Sequence, residues 1–172
     1  MQRRTFLQRL GAVAGMLMIA GRRAGAHPVD KGLKIQRLEK PKSEWRRLLP
    51  APAYNVLFEA DTEPPGSSPL NHEKRAGTFI CAACYLPLFQ STAKYDSGTG
   101  WPSFYQPIAG RVQTKLDLWL ILPRTEYHCA RCGGHQGHVF DDGPPPTGKR
   151  YCNNGLALNF IPDDQPLPAL RG

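Results

Sequence analysis

From residue 77 onward, apolar and polar positions alternate over short stretches that break at Gly and Pro. Thr78-Phe79-Ile80 runs into Cys81, and Leu118 to Leu122 form a five-residue apolar run closed by Pro123. Thr125 to Cys129, Val139-Phe140, Tyr151 and Leu156 to Ile161 read as further short strands. Gly98–Gly100, Gly133-Gly134 and Gly143-Pro144-Pro145-Pro146 separate them. Before this region the period changes. Ser43 is placed to N-cap a short helix, Glu44 to Leu49, with Trp45, Leu48 and Leu49 on one face. Pro50 interrupts, Ala51 to Ala60 reads as a second helix, and Asp61 to Ser68 is a loop. The pattern predicts an antiparallel β domain entered by a small helical segment.

Composition narrows this picture. The chain has 172 residues, which suits one domain with an appendage. Hydrophobic residues make up 41%, too many for wholesale disorder. Gly and Pro number 17 each, which argues against a helical bundle. The net charge of +8 is concentrated at one end. Residues 1–26 hold five of the 22 basic residues and none of the 14 acidic ones, leaving 17 basic against 14 acidic, a net +3. The remaining Lys and Arg are scattered, so no nucleic-acid partner is expected.

Those first 26 residues read as an address. Arg3-Arg4-Thr5-Phe6-Leu7 precedes an apolar run from Leu10 to Ala20, and Ala24-Gly25-Ala26 supplies a small-x-small cleavage site. The run has 11 residues, short of the roughly 20 that a membrane span needs, so no stable membrane anchor is expected. The paired arginines resemble a twin-arginine signal, which predicts a periplasmic protein exported already folded. Residues 27–42 are polar and basic and read as a flexible lead-in.

Five cysteines divide four plus one. Cys81-Ala82-Ala83-Cys84 and Cys129-Ala130-Arg131-Cys132 are two CxxC pairs 44 residues apart. Each spacing lets a tight turn aim two sulfurs at one ion, and two such knuckles give a tetrahedral sulfur site that suits structural Zn2+. Iron in the same shell, short-loop disulfides and a redox CxxC are the competing readings. Cys152 is left over. A lone Cys is most often a buried small hydrophobe. Here Arg150 shares its strand face, where a guanidinium can lower the thiol pKa, and polar Asn153-Asn154-Gly155 follow. The segment Gly133 to Gly143 (GGHQGHVFDDG) concentrates two His and two Asp. It reads as a solvated loop, as a second metal site, for which the cysteines already offer better ligands, or as a site with histidine as proton donor and Asp142 orienting it.

Three longer segments carry a resemblance: SGTGWPSF (Ser97 to Phe104), RCGGHQGHVFDDGP (Arg131 to Pro144) and GKRYCNNGLAL (Gly148 to Leu158), with both CxxC pairs in register. From Trp45 to Pro162 the chain resembles the B-type methionine sulfoxide reductases. The resemblance implies a mainly β fold of two antiparallel sheets, a β-tent, over residues 43–165 with a short tail at 166–172. It also implies one structural zinc per chain on Cys81, Cys84, Cys129 and Cys132. By position, Cys152 matches the nucleophile, His138 and His135 the active-site histidines, and Asp142, Arg150 and Asn154 the residues that organise the polar side. Trp101 matches the aromatic that packs on the substrate methyl, and Phe140 helps to line that pocket. Gly155 departs from the Ser of many members, and Thr99 stands where some carry a second, resolving Cys. The implied activity is reduction of methionine-R-sulfoxide, with Cys152 left as a sulfenic acid that a thioredoxin-like or small-molecule thiol removes. A monomer is expected. Two other readings remain: a non-catalytic zinc-binding β module for peptides or partners, and a hydrolase using Cys152 with His138.

Overall fold

The computed structural model describes residues 35–117 and 124–172. The expected signal sequence, the start of the expected lead-in and the apolar run Leu118–Leu122 lie outside the described residues. Residues 35–41 carry no helix or strand, yet Ile35 and Leu38 pack on the core, and the Leu38 amide donates to the Arg131 carbonyl.

Two helices open the domain, α1 (Lys42–Leu48) and α2 (Ala51–Glu59). α1 starts earlier than the expected cap. Pro41 takes the N-cap position and Ser43 lies inside the first turn, so no side chain caps the helix. Trp45 is buried and stacks on Phe58 at 5.4 Å, which fixes the helix pair to one side of the core.

Among the described residues nine strands follow: β1 (Gly77–Cys81), β2 (Pro87–Gln90), β3 (Lys94–Tyr95), β4 (Ser103–Phe104), β5 (Val112–Asp117), β6 (Arg124–Cys129), β7 (His135–Phe140), β8 (Arg150–Asn153) and β9 (Leu158–Pro162). They form two antiparallel sheets, one in the order β2-β1-β9 and the other β3-β4-β8-β7-β6-β5. The mainly β, two-sheet expectation is borne out. Phe79 of the small sheet meets Phe104 of the large one edge-on at 5.0 Å, Phe89 stacks on Phe104 at 4.2 Å, and Tyr127 meets Tyr151 at 5.3 Å. Such aromatic pairs add about 0.5–1.5 kcal/mol each beyond the area they bury.

Because side chains alternate across a strand, filling the inner face with Phe104, Tyr151 and Tyr127 sends Ser103, Cys152 and Glu126 to the other face. β7, of which only Val139-Phe140 was expected as strand, is a central strand four residues longer at its start. Gly137 is required there: a Cβ would lie 1.9 Å from the Cys152 carbonyl oxygen on β8. Gly155 has a similar cause. A Cβ at that position would lie 1.9 Å from Ser68 Oγ, so the hydroxyl of Ser68 occupies the space a Ser at 155 would take.

Candidate active site and metal cluster

The two CxxC segments fold into matching knuckles. In each, the first Cys carbonyl accepts from the residue after the second Cys, Tyr85 N to Cys81 O and Gly133 N to Cys129 O, both at 2.9 Å. In each, the first Cys amide donates to the following residue's carbonyl, Cys81 N to Leu86 O and Cys129 N to Gly134 O. Tyr85 and Gly133 both turn left-handed, at φ 64° and 72°. The four sulfurs all lie within 4.8 Å of one another, with Cys81–Cys132 at 3.6 Å and Cys84–Cys129 at 3.5 Å. A regular tetrahedron with bonds of about 2.3 Å has edges of about 3.8 Å. The cluster could therefore hold a metal ion. Gln136 Nε2 donates to Cys81 Sγ at 3.6 Å, a thiolate-supporting contact from a fully buried amide. The C-terminal tail also reaches the cluster: Arg171 N donates to Cys84 O, and Arg131 Nη1 donates to Arg171 O.

Cys152 lies away from the cluster, half-buried on the outer face of the large sheet. Register places Ser103, Cys152, His138 and Glu126 side by side across β4, β8, β7 and β6. Residues opposed in this way have Cβ atoms about 4.5–5.5 Å apart. A β-bulge adds His135 to the group. His128 pairs with His135 while Tyr127 pairs with Gly137, so Gln136 is the extra residue on β7. In a regular strand, positions 135 and 138 would face opposite ways. With the bulge their rings meet at 5.5 Å.

Each histidine has a carboxylate partner, and neither partner is Asp142. His138 Nε2 donates to Asp117 Oδ2 at 3.0 Å, which leaves Nδ1 as its lone-pair nitrogen. Asp117 also receives Arg124 Nη2 at 2.9 Å. His135 Nδ1 donates to Glu126 Oε1 at 2.5 Å, and its Nε2 accepts from Asn154 Nδ2 at 3.5 Å. Burial pulls the His135 pKa below that of an ordinary imidazole, against the opposing pull of Glu126. Asp142 corrects the sequence reading: its carboxylate is taken by Arg150, with Nε on Oδ1 at 2.8 Å and Nη2 on Oδ2 at 2.7 Å. The chain leaves the sheet after Phe140, so Asp142 turns toward the start of β8 rather than back to the histidines. Arg150 holds the Asp142 carboxyl below its usual range. It also stacks over Phe140, 4.3 Å from the ring centroid.

Arg150 lies beside Cys152 as its position on the strand predicts, but it does not win. Burial pushes the Cys152 thiol above an ordinary cysteine, and the Arg150 charge and the Thr99 hydroxyl oppose it only in part. At neutral pH the resting side chain is a thiol. Alkylation of Cys152 by iodoacetamide is therefore expected to be slow at neutral pH and to rise toward an alkaline inflection. Arg150→Gln removes a cation that favours the thiolate, so the inflection should move further up. A downward move in the alkylation profile would contradict this assignment.

Cys152 opens on a cavity of about 140 Å3 lined by Trp101, His138, Phe140, Asn154 and Thr62, among others. Sites for drug-sized ligands run to about 300–1,000 Å3, so this one admits the end of a side chain. Trp101 is held by its Nε1, which donates to the Glu63 carbonyl at 3.1 Å. Glu63 is itself buried: its carboxylate accepts from the Gly155 and Leu156 amides, and its amide donates to Asn154 Oδ1. Trp101, His135, His138, Phe140, Arg150 and Asn154 are thus brought around Cys152, and Asp142 reaches it only through Arg150. Asp117, Glu126 and Glu63 were missed. Only Glu126 left a signal, lying two residues before His128 in a strand and thus on the same face.

Residues 49–162 match the family model described as SelR domain. The chain is 49% identical over 132 residues to "Peptide methionine sulfoxide reductase MsrB" of Pseudomonas putida, covering 76% of this chain and 98% of that protein. It is 48% identical over 129 residues to the Methanosarcina barkeri protein of the same name, covering 74% and 91%. To "Peptide methionine sulfoxide reductase B1, chloroplastic" of Arabidopsis thaliana it is 50% identical over 133 residues, covering 77% and 66%.

Proposed function

Given that the chain belongs to the SelR-domain family and is an oxidoreductase of the peptide methionine sulfoxide reductase kind, we propose that it reduces methionine-R-sulfoxide in oxidised proteins, with Cys152 as nucleophile. The observation that carries this reading is the row Cys152–His138–Asp117 beside a cavity sized for a side-chain end. The substrate methyl lies against Trp101 and Phe140, and the sulfoxide oxygen faces His138. The Cys152 thiol passes its proton to His138, oriented by Asp117, and the sulfur attacks the substrate sulfur. His138 returns the proton to the sulfoxide oxygen, so the substrate sulfur carries both Cys152 Sγ and an OH. The OH then shifts to Cys152 Sγ, forming its S–O bond, as the substrate's sulfur–oxygen bond and the new sulfur–sulfur bond break. Methionine leaves, and oxygen stays on Cys152 as S–OH. The Cys152 sulfur is oxidised by two electrons and the substrate sulfur is reduced by two, so the step balances. His135, Asn154 and Glu126 hold the polar side in one arrangement.

The four-cysteine cluster supports structural zinc. Four protein sulfurs leave no position for substrate, and the cluster lies apart from Cys152. The sulfenic acid is returned to thiol by an external reductant, thioredoxin-like or a small thiol. Thr99 is beside Cys152 and offers no sulfur, and the other four cysteines sit in the cluster.

The deciding experiment supplies a peptide with each sulfoxide epimer separately, with dithiothreitol as reductant. Turnover is expected for the R epimer and not for the S. Equal turnover of both, or of neither, would refute the reading.

We further propose periplasmic residence by the twin-arginine route, supported by Arg3-Arg4 and Ala24-Gly25-Ala26. Among the described residues no helix is long and apolar enough to cross a membrane. Intact-mass analysis of the exported protein should show a chain beginning at His27. Export undiminished after Arg3-Arg4 are changed to Lys-Lys would rule the route out.

A further inference from the structure

His128 takes no part in the chemistry above, yet its surroundings are specific. Glu126 and His128 share a face of β6, and His135 is the register partner of His128 on β7. A Glu126 oxygen and one ring nitrogen each of His128 and His135 all lie within 4.8 Å of one another. The carboxylate spans the two rings, with Oε1 2.5 Å from His135 Nδ1 and Oε2 3.2 Å from His128 Nε2.

The second of these contacts is not a hydrogen bond. His128 Nδ1 lies 3.2 Å from the Gly133 carbonyl oxygen, which can only accept, so Nδ1 carries the ring proton. In the neutral ring, the form that ligates a metal, Nε2 is then a lone pair. It is shielded from solvent, makes no hydrogen bond, and faces a carboxylate oxygen that also only accepts. Two acceptors in such contact repel, and a cation between them reverses the sign.

We propose that Glu126, His128 and His135 form a second metal site, separate from the four-cysteine cluster, for a divalent ion of the zinc class. Two imidazoles and a carboxylate suit such an ion, with bonds of about 2.0–2.2 Å and a fourth position left open. The hydrogen bond from His128 Nδ1 to a backbone carbonyl is the outer support such a ligand needs. The open side faces a cavity of about 560 Å3 that also touches Asp117, Arg124 and Lys115. Arg124 is paired with Asp117, and Lys115 is exposed, so neither places an unscreened cation on the site.

Occupancy has a consequence for the reaction, which rests on the role given to His135 above. An ion on Nδ1 moves the ring proton to Nε2 and takes Glu126 for itself. Nε2 then stops accepting from Asn154. The ion is an inhibitor, and a chelator relieves it.

The test titrates Zn2+ calorimetrically into protein carrying Cys152→Ser, with the cysteine cluster already filled, so that no thiol competes. One further equivalent is expected. Adding His128→Gln should weaken its uptake about a hundredfold or more, since losing even an outer support costs about 10–100-fold. Glu126→Gln is the second variant and should do the same. Imidazole nitrogen shifts should identify His128 Nε2 and His135 Nδ1 as the ligating atoms. No further equivalent, or one that survives both substitutions unchanged, overturns the site and leaves His128 paired through a proton. Binding without inhibition of the enzyme with Cys152 intact supports the site and overturns its coupling to His135.

Discussion

Cys152→Ser is expected to abolish reduction of the R-sulfoxide while fold and metal content stay as they are. The expected loss is on the order of 10⁶ in turnover, the scale seen when a nucleophile is removed from a concerted catalytic unit. The serine oxygen can still reach His138 across the strands, but it is a poor nucleophile toward sulfur. It also cannot take up the oxygen atom as a reducible S–OH. Stability should barely move, because Cys152 is half-buried on the outer face and Ser is nearly isosteric. Three measurements on one sample suffice: epimer-resolved turnover, metal content and a melting curve. Turnover within about tenfold of the parent would disprove the assignment. The parent enzyme gives the complementary result. After one turnover without reductant, its mass should rise by one oxygen, and dimedone should trap it. A loss of two hydrogens would mean an internal disulfide instead.

Cys129→Ser should act on the opposite property and cost the fold. Cys129 is 1% exposed, and its sulfur is 3.5 Å from that of Cys84, so a serine there leaves a buried hydroxyl and a three-sulfur site. Structural zinc contributes about 10–16 kcal/mol of apparent binding energy in small metal domains. A domain's net stability is only about 5–15 kcal/mol, so the variant should be largely unfolded near 37 °C. Metal analysis together with circular dichroism on heating provides the check. A metal-free variant that melts cooperatively within a few degrees of the parent would show the cluster to be dispensable.

Much of this is legible in the amino-acid sequence. Trp45 and Leu49 (though not Leu48, which is exposed), the buried run into Cys81 and the paired knuckles each express a local rule: helical spacing, strand alternation, turn-sized ligand spacing. What escaped was either too short or too exposed to alternate, or depended on pairing. β3 and β4 are two residues each, and most of β5 is exposed on both faces at the sheet edge. The glycines of β7 suggested a loop because the reason for Gly137 lies on the neighbouring strand. Asp117 and Glu126 could be joined to the histidines only through the register of β5, β6 and β7. Asp142 was misplaced by proximity in sequence. It stands four residues after His138, but the end of the strand intervenes and Arg150 takes it.

The extra residue at Gln136 fixes something the individual contacts do not express. Its side chain reaches Cys81 on one side, and its carbonyl receives both the amide and the side-chain nitrogen of Asn154 on the other. The segment from Cys129 to His138 therefore has a fixed length. Deleting or inserting one residue there would keep the knuckle or the histidine pair, but not both. Over evolutionary time this segment can exchange letters but not count, whereas the Pro-rich turn Pro144–Thr147, beyond the Asp142–Arg150 pair, is the place where length can change. Length variation among descendants of this chain should accumulate in that stretch and be absent between the second knuckle and His138.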